Sequence, residues 1–124
     1  MVQMPAIEVP KWALTLLNNL YEIERKLAVH GDPGNASRNV EKMKDAFVEQ
    51  MLFYEDPMGE PFKETRTDLE ATISGADTEN LVVVEVIKPV IRAGEAAFSR
   101  VVQKGIVLVQ SKEAGEGKQE ASVE

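Results

Sequence analysis

Few residue types in this chain could perform chemistry, and His30 is the first to consider. The 124-residue sequence contains one histidine and no cysteine. A nucleophile–histidine–carboxylate triad or a histidine-based metal site would therefore have to be built on this residue. His30 follows a helical pattern and precedes a Gly/Pro-rich turn, where the helix dipole favours a cation. We interpret it as a structural residue and predict neither a metal site nor a cofactor.

Carboxylates are plentiful, so acid–base hydrolysis is the second possibility. Glu41, Asp45 and Glu49 recur at four-residue steps, opposite the apolar positions of a predicted helix. Such a row is typical of a solvated face, and the alternative is an acidic strip for a partner's basic patch. A small hydrolase with clustered carboxylates is a third hypothesis, and it would need paired acids in a cleft. The sequence favours a protein that is not an enzyme.

The overall charge points away from nucleic acids and anionic membranes. The formal net charge is −7, whereas both of those partners select clustered Lys and Arg. No apolar run reaches the roughly 18 residues that a membrane span requires. Met1–Pro10 lacks the apolar run of a secretory signal, and the lack of cysteine agrees with a reducing compartment. We therefore predict a cytoplasmic protein whose partners are other proteins.

The spacing of apolar residues in the N-terminal half predicts two helices. Residues 1–10 are predicted to be a flexible arm, and a first helix runs from Lys11 to about Val29. After a short Gly/Pro-rich loop, a second helix is predicted to continue through Tyr54 and to stop at Pro57. Two helices joined by so short a loop should pack antiparallel, which predicts a helical hairpin over residues 11–57.

Both predicted helices carry more apolar side chains than one hairpin can bury. Two hairpins packed together as a four-helix bundle would cover them, so we predict a homodimer. The predicted dimer interface consists of nine apolar residues on the two helices: Leu16, Leu20, Ile23, Leu27, Val40, Met43, Phe47, Met51 and Tyr54.

The pattern after Pro61 is that of short strands. We predict strands at Leu69–Ile73, Leu81–Ile87, Phe98–Val102 and Ile106–Val109, with Ile91–Gly94 continuing into a turn and Gly105 as a bulge or kink. The predicted fold class is α+β, with an N-terminal antiparallel helical hairpin followed by a small antiparallel β domain over residues 58–110. Residues 111–124 contain one aliphatic side chain larger than Ala and are predicted to be a disordered acidic tail.

The order of these parts resembles the GrpE nucleotide-exchange factors. Leu16–Leu27 is similar to the family's first bundle helix, and Gly59–Phe62 (GEPF) to its G-x-P-F turn. Val82–Pro89 (VVVEVIKP) resembles its V-V-E-V-L strand, and Arg100–Val109 (RVVQKGIVLV) its closing strand. The chain differs in lacking the long stalk, in having Thr65–Asp68 where the family has H-E-A, and in having Gln103 where the family has arginine.

The resemblance implies a non-catalytic co-chaperone of the stress response. A GrpE dimer grips the ATPase domain of a DnaK-type chaperone, and its β wing opens the nucleotide cleft so that ADP leaves. Carried over by position, the implied partner-binding residues are Glu85, Lys88, Arg100 and Lys104. The alternative is an interaction or assembly adaptor that keeps the bundle-and-wing fold but has lost exchange activity.

Overall fold

The computed structural model describes residues 8–112 and has the predicted α+β architecture. The two helices and six strands are α1 Lys11–His30, α2 Ser37–Glu49, β1 Leu52–Glu55, β2 Leu69–Ile73, β3 Leu81–Lys88, β4 Val90–Glu95, β5 Phe98–Gln103 and β6 Gly105–Ser111. Residues 1–7 of the predicted arm and 113–124 of the predicted tail lie outside the described residues.

The strands form two three-stranded sheets. The first has the order β1-β4-β5 and is antiparallel throughout. The second has the order β2-β6-β3, in which β6 is antiparallel to β3 but parallel to β2. The prediction of an entirely antiparallel β domain is therefore wrong at β2. Its neighbour β6 comes after three further strands, so the direction of this pair is set by a long-range connection that local sequence does not encode.

The second helix is shorter than predicted, because the chain enters a strand at Leu52. Met51 has a positive φ of 64°, a left-handed conformation that ends many helices. Residues 52–55 then pair with β4, with Tyr54 opposite Ile91. Aromatic residues suit such a half-buried strand position. The prediction that Met51 and Tyr54 are helical is wrong, and the region 11–57 contains the first strand of a sheet.

Three further boundaries differ from the sequence prediction. Ile91–Gly94 belongs to β4, which a two-residue turn, Ala96–Ala97, joins to β5. Gly105 opens β6, and Ser111, predicted to begin the tail, is the buried last residue of that strand. Ile91–Gly94, Gly105 and Ser111 each pair with a strand that is distant in sequence, and local composition does not reveal such pairing.

Helix α1 contributes to both hydrophobic cores. Tyr21 joins the core beneath the β2-β6-β3 sheet, with Leu69, Leu81, Val83, Val86, Val90, Val107 and Val109. Ala13 and Leu17 form the second core with Leu52 and Ile91. Val9, predicted to lie in a flexible arm, packs against this second core, because β4 and β5 supply apolar side chains there. A single helix therefore holds the two sheets in place.

The two sheets meet closely at Gly105. A Cβ atom on this residue would lie 2.8 Å from Leu69 Cδ2 and 3.0 Å from Val90 Cγ2. Both of those side chains are buried, so neither has open space into which it can move. Gly105 thus permits the short connection that carries the chain from the first sheet into the second.

We expect Gly105→Ala to lower the free energy of unfolding by about 1–3 kcal/mol, because the added methyl group overpacks a filled core. The matched control is Gly34→Ala, since a Cβ at Gly34 meets nothing within 4 Å. Urea unfolding of both variants checks the prediction. Equal stability of the two variants would contradict the close packing described for Gly105.

Candidate protein-binding surfaces

The nine predicted dimer-interface residues divide into two groups in the single chain. Leu20 and Val40 are buried within the chain itself, and Leu27, Phe47 and Tyr54 are half-buried. The members that remain exposed are Leu16, Ile23, Met43 and Met51. The sequence pattern did not distinguish the apolar side chains that face the chain's own sheets from those that face outwards.

The outward side of α1 carries an exposed apolar stripe, which we define as Trp12, Leu16 and Ile23. These residues are spaced by four and seven positions, so they project from one side of the helix. Trp12 was not among the predicted interface residues, although its spacing from Leu16 places it on the same side. Met43 and Val48 are also exposed on α2. A set of large exposed apolar side chains on one helix is typical of a protein–protein contact.

Tyr54 faces its own chain through a polar network. Its hydroxyl group donates to Glu24 Oε1, and Lys44 Nζ lies 3.2 Å from Glu24 Oε2. The Lys44 ammonium also lies 5.0 Å from the centre of the Tyr54 ring. The Glu24 carboxylate therefore links α1 to both α2 and β1.

Tyr21 forms the adjoining part of this network. Its ring meets that of Tyr54 edge to face, with centroids 5.7 Å apart, and its hydroxyl group donates to Asp56 Oδ1 over 3.0 Å. Burial, followed by the bond to Asp56, raises the pKa of Tyr21 above its usual value. Burial, followed by the bond to Glu24, raises the pKa of Tyr54 in the same direction. Both phenols are held in their neutral, donating form.

Two amide side chains, those of Asn18 and Gln103, bond α1 to the β strands, and we call this pair the amide clasp. Asn18 Nδ2 donates to Gln103 Oε1 over 3.0 Å, and Gln103 Nε2 donates back to Asn18 Oδ1 over 2.9 Å. Gln103 Nε2 also lies 3.0 Å from the Pro89 carbonyl oxygen. Farther along the helix, Arg25 Nη1 donates to the Val86 carbonyl oxygen over 2.6 Å. These contacts fix the orientation of the β strands relative to α1.

The four residues implied as partner-binding do not form a single cluster. Lys88 lies opposite Ile106 in the sheet, and Lys104 immediately precedes β6, so the two lysines lie at the same end of the β2-β6-β3 sheet. Glu85 is opposite Leu108 on that sheet. Arg100 pairs with Ala93 on the other sheet, four residues of extended chain or about 13 Å from Lys104. All four side chains are exposed.

The segment that differs from the family's H-E-A motif forms an ionic network. Arg66 Nε and Nη2 donate to the two carboxylate oxygens of Asp68 over 3.0 and 2.8 Å, and Arg66 Nη1 donates to Glu60 over 3.0 Å. Arg92 Nη2 lies 3.6 Å from Asp68, and its Nε lies 2.5 Å from Glu55. The bonds from Arg66 lower the pKa of the Asp68 carboxyl group. Sequence analysis missed this network, which ties the loop before β2 to the first sheet.

The residues considered for catalysis are spread over the surface. His30 is the exposed last residue of α1, and Glu41, Asp45 and Glu49 are exposed along α2. Across residues 8–112, no group of three or more histidine or acidic residues is arranged to hold a metal ion. Neither α1 nor α2 combines the length and hydropathy that crossing a membrane would require.

No protein-family model, characterised protein or solved structure matches this chain. A functional assignment therefore depends on its own residues and their geometry. The two features that lend themselves to recognition are the exposed apolar stripe of α1 and the exposed residues of the β strands.

We expect Asn18→Ala to cost about 1–3 kcal/mol of unfolding free energy, because it leaves Oε1 of the half-buried Gln103 without its hydrogen-bond donor. The adjacent Asn19→Ala is the control, since the Asn19 side chain donates to the Thr15 carbonyl oxygen of its own helix at an exposed position. It should change the stability by no more than about 0.5 kcal/mol. Thermal or urea unfolding measures both variants, and equal costs would show that the clasp contributes nothing.

The two tyrosines, the only ones in the chain, also predict an alkaline instability. Because their folded pKa values are raised, their contribution to stability is complete below about pH 10 and is lost as the pH rises further. Phenolate absorbance should therefore appear together with loss of the circular dichroism signal. Ionisation near pH 10 in a fully folded protein would contradict the described burial. Tyr21→Phe and Tyr54→Phe assign the signal to each phenol.

Proposed function

We propose that this protein is a GrpE-like co-chaperone, which acts in the cytoplasm as a homodimer, binds the ATPase domain of a DnaK-type chaperone and promotes ADP release. The observation that supports the proposal is that segments whose sequences resemble the family lie in the helix, turn and strands of this structure. Three of the four segments that resemble the family lie in a helix, a turn and a strand, as the resemblance implies, whereas the closing segment is divided between β5 and β6. The order of two helices followed by a small β unit supports the same assignment.

The β segments illustrate this correspondence. The GEPF segment contains Gly59 with a positive φ of 80°, and Pro61 forms a bridge to Val82, so the segment turns the chain onto the edge of β3. The VVVEVIKP segment supplies most of β3 and its end at Pro89. The closing RVVQKGIVLV segment spans most of β5 and most of β6, joined at Lys104. These strands constitute the wing in the proposed function.

The helices supply the second part of the proposal. In the proposed dimer, α1 and α2 of each copy pair as a hairpin, in which Lys44 of α2 forms a salt bridge with Glu24 of α1. A second copy covers the exposed stripe of Trp12, Leu16 and Ile23, and burial of these side chains drives association. The dimer then presents the β strands away from the helical contact.

Exchange by such a protein needs no covalent step. The exchange factor binds more tightly to the chaperone conformation whose nucleotide cleft is open, so the population shifts towards the state that binds ADP weakly. The coupling is reciprocal, and ADP must weaken binding of the exchange factor by the same factor. Exposed Lys88 and Lys104, which share one end of a sheet, are positioned to contact acidic groups on the ATPase domain.

One observation favours the second candidate, an adaptor with the same fold that has lost exchange activity. Gln103 occupies the position where the family has an arginine in its closing strand. Its amide group is bound to Asn18 and to the Pro89 carbonyl oxygen, so it serves the interior of this chain. In this candidate, recognition by the β strands persists but the partner is a different protein.

The proposed function predicts faster release of a fluorescent ADP analogue from the ATPase domain of the chaperone of the same organism. The exchange factor should weaken nucleotide affinity by roughly tenfold. Lys88→Ala combined with Lys104→Ala should reduce the effect, whereas Lys26→Ala, on the exposed surface of α1, should not. Stopped-flow fluorescence makes the measurement.

The outcomes separate the two candidates. Binding of the ATPase domain without acceleration would reject exchange and retain a chaperone adaptor. Absence of binding would reject the chaperone assignment altogether, and a pull-down that instead recovers a different, identified protein would favour the adaptor.

A further inference from the structure

Strand β5 lies at an edge of its sheet, with β4 as its neighbour on one side. Phe98–Val101 pairs regularly with Arg92–Glu95, and the register shift in this hairpin lies beyond Val101. The other side of β5 has no strand beside it in the described part of the chain. An edge of this kind presents main-chain hydrogen-bonding groups with which another strand can pair.

The contacts of Gly94 show which main-chain groups of β5 lie on the open side. The Gly94 N–H donates to the Met51 carbonyl oxygen over 2.7 Å, so the main-chain groups of Gly94 face the β1 side of β4. Ser99 is opposite Gly94, and the two therefore form a non-hydrogen-bonded pair in which the N–H and C=O of Ser99 point away from β4. Because this direction alternates along an antiparallel strand, the main-chain groups of Val101 also lie on the open side.

Ser99 and Val101 together place four main-chain groups on the open edge, two donors and two acceptors. Apart from the pairing with β4, no backbone group within residues 8–112 bonds to either of them. The edge of β3 is different, because residues 59–62 pair with it: the Gly59 N–H donates to the Val83 carbonyl oxygen over 3.0 Å. The chain thus closes the edge of β3 and leaves that of β5 open.

The side chains along this edge set the composition of a strand that could pair with it. Phe98 is 85% exposed on one face of β5, whereas Val101 lies on the other face and packs against the core of the β2-β6-β3 sheet. Apolar side chains on an added strand, directly opposite these two residues, would extend both contacts. Charge selects nothing here, because Glu95 and Arg100 carry opposite charges on the face of Phe98.

We propose that the open edge of β5 binds an extended peptide segment of another protein, which adds antiparallel to Phe98–Val101 through the main-chain groups of Ser99 and Val101. The segment carries two apolar side chains three residues apart, one opposite Val101 and one opposite Phe98. Such binding is independent of the proposed function, because it requires neither the ATPase domain nor nucleotide release.

A second copy of this chain is a poorer occupant of the same edge. In a symmetric pair of β5 strands, the register that uses both Ser99 and Val101 places the Arg100 residues of the two copies directly opposite each other. Like charges in directly opposite positions destabilise a pair of strands. An external segment has no such restriction, since its residue opposite Arg100 can be neutral.

The probe for this binding is the fluorescein-labelled hexapeptide Thr-Val-Thr-Thr-Ile-Thr, whose valine and isoleucine have the required spacing. Ser99→Pro removes the outward N–H and spares the hydrogen bonds to β4, and an edge strand tolerates proline at such a position. The matched control is Ser99→Ala, which loses the hydroxyl group but keeps the N–H. In fluorescence anisotropy with the full chain, we expect Ser99→Pro to weaken peptide binding about tenfold and Ser99→Ala by no more than about twofold. Circular dichroism should be unchanged in both variants.

Peptides with methylated main-chain nitrogens test the same bonds on the unaltered protein, so the test does not depend on the folding of a variant. In the added strand, the N–H groups of the second and fourth residues face β5, and those of the third and fifth face away. N-methylation of the second and fourth residues should weaken binding by at least about tenfold. N-methylation of the third and fifth residues should retain most of the affinity.

Each other outcome would overturn the strand addition. If both methylated peptides bind equally, or if Ser99→Pro binds the probe as well as Ser99→Ala does, the peptide binds elsewhere. If the unaltered protein does not bind the probe, the edge does not accept such a segment. If Ser99→Pro converts a dimer to a monomer in sedimentation, the edge pairs with a second copy. None of these results alters the expectation for nucleotide release.

Discussion

The structure depends on the fact that α1 is apolar over more of its circumference than its own sheets cover. Ala13 and Leu17 pack into one core and Tyr21 into the other, so this helix contributes to the cores of both small sheets. Removing α1 would expose one side of both sheets. The same helix leaves Trp12, Leu16 and Ile23 in contact with solvent. The packing of both cores and the exposed apolar stripe therefore belong to a single element.

Polar contacts give this apolar arrangement its specificity. Burial of Ala13 or Leu17 is non-directional, whereas the Asn18–Gln103 amide pair fixes both the distance and the rotation between α1 and β5. The amide pair therefore sets the position of β5 on the helix, which burial alone does not. Gln103 thus has a clear structural role in this chain, whatever residue a partner contact would have preferred there.

Sequence periodicity predicted the parts of the fold that local spacing determines. It located α1 to within about a residue and β2 at its observed bounds, because strong apolar patterns flank clear turns. It failed at Tyr54, where a three- and four-residue spacing continues although β4 draws the backbone into a sheet. Long-range pairing also determined β4 and the parallel β2. The exposed stripe was predictable in composition, but its separation from the buried residues Leu20 and Val40 required the positions of the sheets.

Molecular mass in solution tests the central claim, that a second copy covers the exposed stripe of α1. Sedimentation equilibrium should give twice the chain mass of 13.7 kDa. Ile23→Glu should return a folded monomer, because it places a charge within the stripe, whereas Glu22→Gln on the adjacent exposed surface should leave the dimer intact. A stable monomer of the unaltered protein at high concentration, or a dimer that Ile23→Glu does not disturb, would contradict the account.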